Sequence, residues 1–402
     1  MKTNIRETRM KSVVARDRAV PRTFSAVTVL ACAWPALLLA AVCLLPYLNK
    51  PFIIDDPHFL MMAQQIIKAP TRPMDFTVCW ITPPGCWKAY ALTPGNALMG
   101  YVLVPTVLSG AHEWTAHLTQ LALAWIAVLA MTSLALRFGW NRQHAIAGAL
   151  LLVAIAPFMP MASTAMPDIL ATAVALVAME RLAAWKADQK WSQGAAAAIA
   201  LGLAGFARSH LALLLPLAAF YLLDNADPRE FLGQLRRKFW LWTPVLAGSA
   251  LLAAIIAMTR EHGDLAINPP SVFTGFSHIK PNLLAYLLYL VFPFPLAACW
   301  LANRLRIRSL RAAIFVVVAE CVALFGHFVP RRATLVAALG LAMLVDLLYE
   351  AWDRAEHERR ILTLWILIPL PIVYYGHLPP KYLLPCMLAY PLSSSESPDQ
   401  GY

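Results

Sequence analysis

TFSAVTVLACAWPALLLAAVCLLPYLNKPFIIDD, residues 23–56, decides how the rest of the chain is read. Its apolar part runs for about 25 residues, enough to cross a hydrocarbon core of about 30 Å. Before it lie Lys2, Arg6, Arg9, Lys11, Arg16, Arg18 and Arg22. The run is too long for the apolar region of a signal peptide, and no small-residue cleavage site follows it. It reads as a retained first span with the basic N-terminus, residues 1–23, in the cytoplasm.

The remainder of the chain repeats this pattern. Of 402 residues, 60% are hydrophobic and only 14% charged, which is more apolar surface than a single soluble core hides. The net charge of +11 is spread in short clusters between apolar runs, which is a topology signal and not a nucleic-acid-binding patch. Further runs of spanning character fall near 114–138, 145–161, 168–185, 194–207, 209–223, 239–259, 282–302, 312–330, 333–349 and 361–378, with a short one at 383–392. The expectation is an all-α, polytopic bundle of about eleven or twelve spans over 24–392, with a polar tail at 393–402. The runs 194–207 and 209–223 are short, and merging them would invert every later loop. Kept apart, they place most of the 33 lysines and arginines on the cytoplasmic side, as the positive-inside rule requires.

The longest segment between spans, 49–111, then faces outward. Within it Phe59, Met62, Ala63, Ile66 and Ile67 recur at helical spacing, with His58, Gln64, Gln65 and Lys68 elsewhere, the pattern of an amphipathic helix lying on a membrane surface. Pro57 suits the first helical turn, which makes Asp56 the expected N-cap. Capping does not explain Asp55; a solvated loop carboxylate and a functional one are the two readings. A second interfacial helix is expected from Asn96 to Gly110. Cys79 and Cys86 flank ITPPG in the same loop; a disulfide across that turn and a pair of free thiols both fit the spacing.

Three segments, KPFIIDDPHFL (50–60), STAMPDILATA (163–173) and GHLPPKYLLP (376–385), resemble the GT-C glycosyltransferases. The likeness is to the bacterial family that includes the protein O-mannosyltransferases and the lipid A aminoarabinose transferase. It implies a GT-C-type transmembrane bundle with two interfacial helices in the first outer loop. It also implies inverting transfer of a sugar from a polyprenyl-phosphate carrier to an acceptor hydroxyl on protein, lipid or polysaccharide, at the periplasmic face of the inner membrane. By this resemblance Asp55 is the general base, Asp56 completes the acidic pair, and Asp168 positions the acceptor or holds a divalent ion. Lys381, with Tyr382 beside it, faces the lipid phosphate. Arg208, Arg331 and Arg332 fall on the same side and are further candidates to grip it, with contact to membrane lipid headgroups as the alternative. The resemblance leaves a metal open, with Asp55, Asp168, His58 and His377 as candidate ligands.

Two departures stand out. Thr93-Pro94-Gly95-Asn96 replaces the family's Asn-Pro-Pro or His-Pro-Pro, and the chain ends soon after the third segment. That ending is the support for a non-catalytic scaffold of the same fold, one alternative reading. A transporter or flippase of lipid-linked or small substrates is the other, and it calls for an internal symmetry that the sequence does not show. Glu320, inside an apolar run, is expected to face the bundle interior. No glycine-rich phosphate loop follows a strand, which argues against a nucleotide-sugar donor.

Overall fold

The computed structural model describes residues 24–53, 55–81, 84–92, 97–155, 157–223, 239–259, 276–291, 331–353, 357–374 and 378–387. Glu320, His327, His377, the segment 93–96 and the runs at 312–330 and 388–392 lie outside these residues.

Helix α1 (Ala26–Leu44) begins where Ser25 accepts a hydrogen bond from the Thr28 N–H, a side-chain N-cap. Interfacial helix α2 (Asp56–Lys68) follows, then a hairpin of β1 (Thr77–Ile81) and β2 (Pro84–Lys88), then short helices α3 (Leu98–Val102) and α4 (Val104–Leu108). The bundle continues with α5 (Glu113–Arg137), α6 (Arg142–Ala154), α7 (Phe158–Ala162), α8 (Pro167–Asp188), α9 (Trp191–Ala207), α10 (Leu214–Leu222), α11 (Thr243–Thr259), α12 (Ile279–Val291), α13 (Arg331–Asp353) and α14 (His357–Ile366). Among the described residues, three helical stretches are long and apolar enough to cross a membrane: Ala26–Tyr47, Glu113–Arg137 and Phe239–Thr259. Helix α8 is also long, at 22 residues. Its Asp168 and Glu180 are buried and paired with arginines, so these two acidic charges sit inside the bundle and are not presented to lipid.

Helix directions follow from contacts between helix ends. Helix α8 carries Asp168 in its first turn, where it pairs with Arg208 at the end of α9. At its other end Trp185 packs on Trp191, the first residue of α9. Helix α10 then runs back, because the Tyr221 carbonyl near its end accepts from Lys186 in the last turn of α8. Trp185 also donates to the Leu241 carbonyl just before α11, and His357 at the start of α14 bonds the Tyr221 carbonyl. The break at Arg208, whose backbone is extended, is therefore a reversal, and the separate-helix reading of 194–207 and 209–223 holds.

Several local expectations need correction. The run Asn96–Gly110 is not one helix but α3 and α4. Pro105 lies in the first turn of α4, where its missing N–H and ring preclude continuous helical bonding from α3. The hairpin was not foreseen in an all-α reading; Cys79 faces Cys86 in its register, and the structure joins them as a disulfide. His58, assigned to the polar face of α2, is buried because Phe76, leading into the hairpin, packs on its ring. Four members of the expected apolar stripe, Phe59, Met62, Ala63 and Ile66, are buried, whereas the fifth, Ile67, is exposed.

Helices α9 and α11 cross at closest approach over small residues, as bilayer-embedded helices do where packing replaces hydrophobic drive. A Cβ on Gly248 would stand 2.9 Å from the Ala198 carbonyl oxygen and 3.0 Å from the Leu201 Cβ. Gly248→Val must push the two backbones apart and is expected to lower stability by about 1–3 kcal/mol. Leu246→Val, at a half-exposed position on the same helix, should be close to neutral. Thermal unfolding in detergent compares the two; equal effects would contradict the close crossing.

Candidate active site

The acidic loop after α1 is tied to the segment before α8 by its own side chains and to α5 by His117. Lys50 donates to the Ser163 carbonyl (2.9 Å), and its own carbonyl bonds His117 of α5 (2.9 Å). Asp56 is fully buried; its Oδ2 accepts from the Ile53 N–H (3.0 Å) and its Oδ1 from the Ala165 N–H (2.9 Å). Asp56 is thus not the N-cap of α2. Position Asp55 occupies the cap without a side-chain cap bond, and the Asp56 carboxylate turns back to fasten its loop to the turn before α8. Burial pushes the Asp56 carboxyl above the ordinary carboxylate range, opposed by those two N–H donors and by nearby His117 and Lys50.

That turn is braced as well. Gln120 of α5 donates to the carbonyl of Met166 (2.9 Å), the residue preceding α8. One turn of sequence is thereby fixed from both sides, and Asp55 and Asp168 inherit defined positions from it.

Five side chains meet here. Lys381 Nζ lies 3.4 Å from Asp55 Oδ2 and 3.5 Å from the Met166 sulfur. Arg208 Nη2 donates to Asp168 Oδ1 at 2.7 Å. Tyr382 links the two pairs: the Arg208 guanidinium lies 4.7 Å from its ring centroid and the Lys381 ammonium 5.8 Å. The pairs differ in access, and this gives them different roles. Asp55 is 32% exposed in its side chain, so it can be reached, whereas Asp168 is 1% exposed. Asp168 also sits in the first turn of α8, where the helix N-terminus favours a carboxylate.

Several buried polar atoms of this cluster have no hydrogen-bond partner among the described residues: Asp168 Oδ2, Arg208 Nε, His210 Nε2 and Gln120 Oε1. Orphaned buried polar atoms are uncommon in folded proteins, and their concentration here fits a site that receives a polar ligand. His210 and Gln120 were not among the residues singled out from sequence. His210 lies beside Arg208 and bonds the Tyr382 backbone; the only sequence hint was a polar triplet, Arg208-Ser209-His210, between two apolar runs.

Of the expected site residues, the structure therefore brings Asp55, Asp168, Arg208, Lys381 and Tyr382 together, with Asp56 directly beneath. Arg331 and Arg332 begin α13, and their side chains lie outside the described residues. Among the described residues no group of three or more His, Cys, Asp or Glu is placed to hold a metal ion. Asp168 is committed to Arg208 and Asp55 to Lys381, an arrangement of paired charges that does not fit a cation.

His58, next to the acidic pair, is pushed down to about 4 by burial, with the Asp55 carboxylate opposing. It is neutral at neutral pH. Because the folded state binds its proton less readily than the unfolded chain, its contribution is complete above pH 6.5 and is lost as pH falls toward about 4. The full loss is roughly 3 kcal/mol at 1.36 kcal/mol per pH unit. Unfolding followed against pH should show this slope in the wild type and not in His58→Phe, whose ring suits the aromatic neighbours Phe59 and Phe76. A slope that survives the substitution would assign it to another group.

No family model matches the sequence, and no curated protein matches it. The fold is similar to the crystal structure of ArnT from Cupriavidus metallidurans bound to undecaprenyl phosphate, at 14% identity and a TM-score of 0.48, covering 90% of this chain and 76% of that one. It is similar also to the crystal structure of the same ArnT in the apo state, at 14% identity and a TM-score of 0.43, covering 90% and 75%.

Proposed function

We propose that this chain is a membrane glycosyltransferase of the GT-C kind, moving a sugar from a polyprenyl-phosphate carrier to an acceptor hydroxyl with inversion. The observation that carries this reading is the reachable Asp55 carboxylate 3.4 Å from Lys381, backed by the buried Arg208–Asp168 pair with Tyr382 between the two cations. The three sequence segments that resemble such enzymes are those that supply Asp55, Asp168 and Lys381.

The chemistry follows from the charges. The acceptor oxygen attacks the anomeric carbon from the face opposite the phosphate, and Asp55 takes its proton as the new bond forms. The bond from the anomeric carbon to the phosphate oxygen breaks, and its electron pair leaves with the polyprenyl phosphate. Lys381 holds Asp55 while the site is without donor. A phosphate arriving at the same ammonium competes for it, so donor binding frees the carboxylate to act as a base. Lys381, with Arg208 nearby, then stabilises the charge that grows on the leaving phosphate. Asp56 serves through position: its two backbone bonds hold the neighbouring Asp55 in register with α8.

The basic N-terminus and a disulfide in the loop that carries Asp55 support an extracytoplasmic site, since structural disulfides persist in oxidising compartments. The test is binding of a polyprenyl phosphate and of the corresponding polyprenol to the purified full chain. Retention of the phosphorylated lipid alone, weakened at least about tenfold in Lys381→Met, is the expected result. Equal retention of both lipids, or indifference to Lys381→Met, contradicts the proposal.

A further inference from the structure

The opposite end of the bundle holds a second buried ionic cluster, absent from the reaction just described. Glu180 lies twelve positions after Asp168 on α8, about 18 Å along the axis at 1.5 Å per residue. Its side chain is 2% exposed. Glu180 Oε1 accepts from Ser133 Oγ (2.7 Å) and from Arg137 Nε (2.8 Å). Glu180 Oε2 accepts from Arg181 Nε, and Arg181 is held from its other side by the Gln193 amide oxygen (2.8 Å).

Three features make this more than a structural ion pair. Two guanidinium groups share one carboxylate, so the cluster carries one positive charge in excess. Arg137, with a side chain 9% exposed, has a buried Nη1 without a hydrogen-bond partner among the described residues. An unneutralised charge and an orphaned donor at one buried spot call for an anion. The cluster also opens outward, because the Arg181 side chain is 33% exposed.

The surroundings say which anion. Arg137 ends the apolar stretch Glu113–Arg137, and aromatic side chains crowd the same end. Trp185 packs at a tilt against Trp191 (5.5 Å between ring centroids) and edge-to-face against Trp240 (5.4 Å), while Trp191, Phe239 and Trp240 are exposed. Exposed tryptophans at a span end mark the depth of lipid headgroups, and a basic pocket between helices at that depth suits a headgroup phosphate. We infer that Arg137 and Arg181, seated on Glu180, form a binding site for the phosphate of an anionic membrane phospholipid in the leaflet remote from the Asp55 site.

The test is native mass spectrometry of the full chain released from detergent after loading with phosphatidylglycerol, with phosphatidylcholine, or with inorganic phosphate alone. Phosphatidylglycerol should be retained about fivefold over phosphatidylcholine, the effect of about one basic residue at a membrane surface. Arg137→Gln should abolish that preference while the protein keeps its thermal transition in phosphatidylcholine. Should Arg137→Gln fail to fold, Arg181→Gln at the more exposed position decides, with the same loss expected. Lys381→Met should leave the preference intact, which separates this site from the one that includes Asp55. Equal retention of the two lipids, a preference that survives the arginine substitution, or inorganic phosphate retained as well as the lipid would each overturn the inference.

Discussion

Asp55→Asn is expected to cut sugar transfer by about 10²–10⁴-fold, the usual contribution of a positioned general base, while the protein folds and still retains the lipid-linked donor. Asparagine keeps the shape of the side chain and removes the proton acceptor. Asp55 accepts no cap bond from α2 and its ion pair with Lys381 is partly exposed, where such a pair adds at most about 1 kcal/mol. Little stability is therefore lost, and the decline belongs to the chemical step. The measurement is single-turnover consumption of donor beside donor retention; a loss of retention in proportion to activity would assign Asp55 to binding instead.

Asp168→Asn is expected to act in the opposite way, through the fold. The Arg208–Asp168 pair is buried on both sides, and removing one partner leaves a guanidinium without its counter-charge. That costs roughly 3–5 kcal/mol, enough to consume much of the stability of an ordinary domain. Arg208→Gln in the same background should recover part of the loss, because the uncompensated charge goes with it. Thermal unfolding of the two single variants and the double variant supplies the cycle. Additive losses would show that the two residues do not act as a pair.

The opposite expectations for two aspartates in one cluster rest on exposure and partners, and neither was legible in sequence. What was legible came from constraints the bilayer imposes. Spanning length and the bias of lysine and arginine placed Asp55, Asp168 and Lys381 at one end of the bundle, and the structure brings those three together. The same bias separated 194–207 from 209–223, and the extended backbone at Arg208 makes that turn. The amphipathic stripe of α2 was readable for the same reason: a surface with two phases writes its period into the chain.

Tertiary partners erased the local signals elsewhere. Asp56 before Pro57 carries the composition of an N-cap, yet Ala165, more than a hundred residues away, offers its N–H to the same carboxylate, and the long-range bond won. Pro105 lies inside the run expected to form a single interfacial helix, and it divides that run in two. Glu180 and Arg137 stood in apolar runs as unremarked charges, because their pairing needs two helices 43 positions apart in sequence to meet. Nothing near Gln120 in sequence marks it, and His210 is marked only by the polar triplet Arg208-Ser209-His210; the significance of both is which atoms they leave unsatisfied.

The proposal that the Asp55–Lys381 pair serves sugar transfer from a lipid phosphate is tested most directly by release of free polyprenyl phosphate. Purified full chain would be incubated with an acceptor-containing membrane extract and a panel of polyprenyl-phosphate sugars, beside Asp55→Asn. The expected result is release from at least one donor by the wild type and at least about a hundredfold less by the variant. Release at the same rate by Asp55→Asn, or none from any donor that the folded protein demonstrably retains, would contradict it.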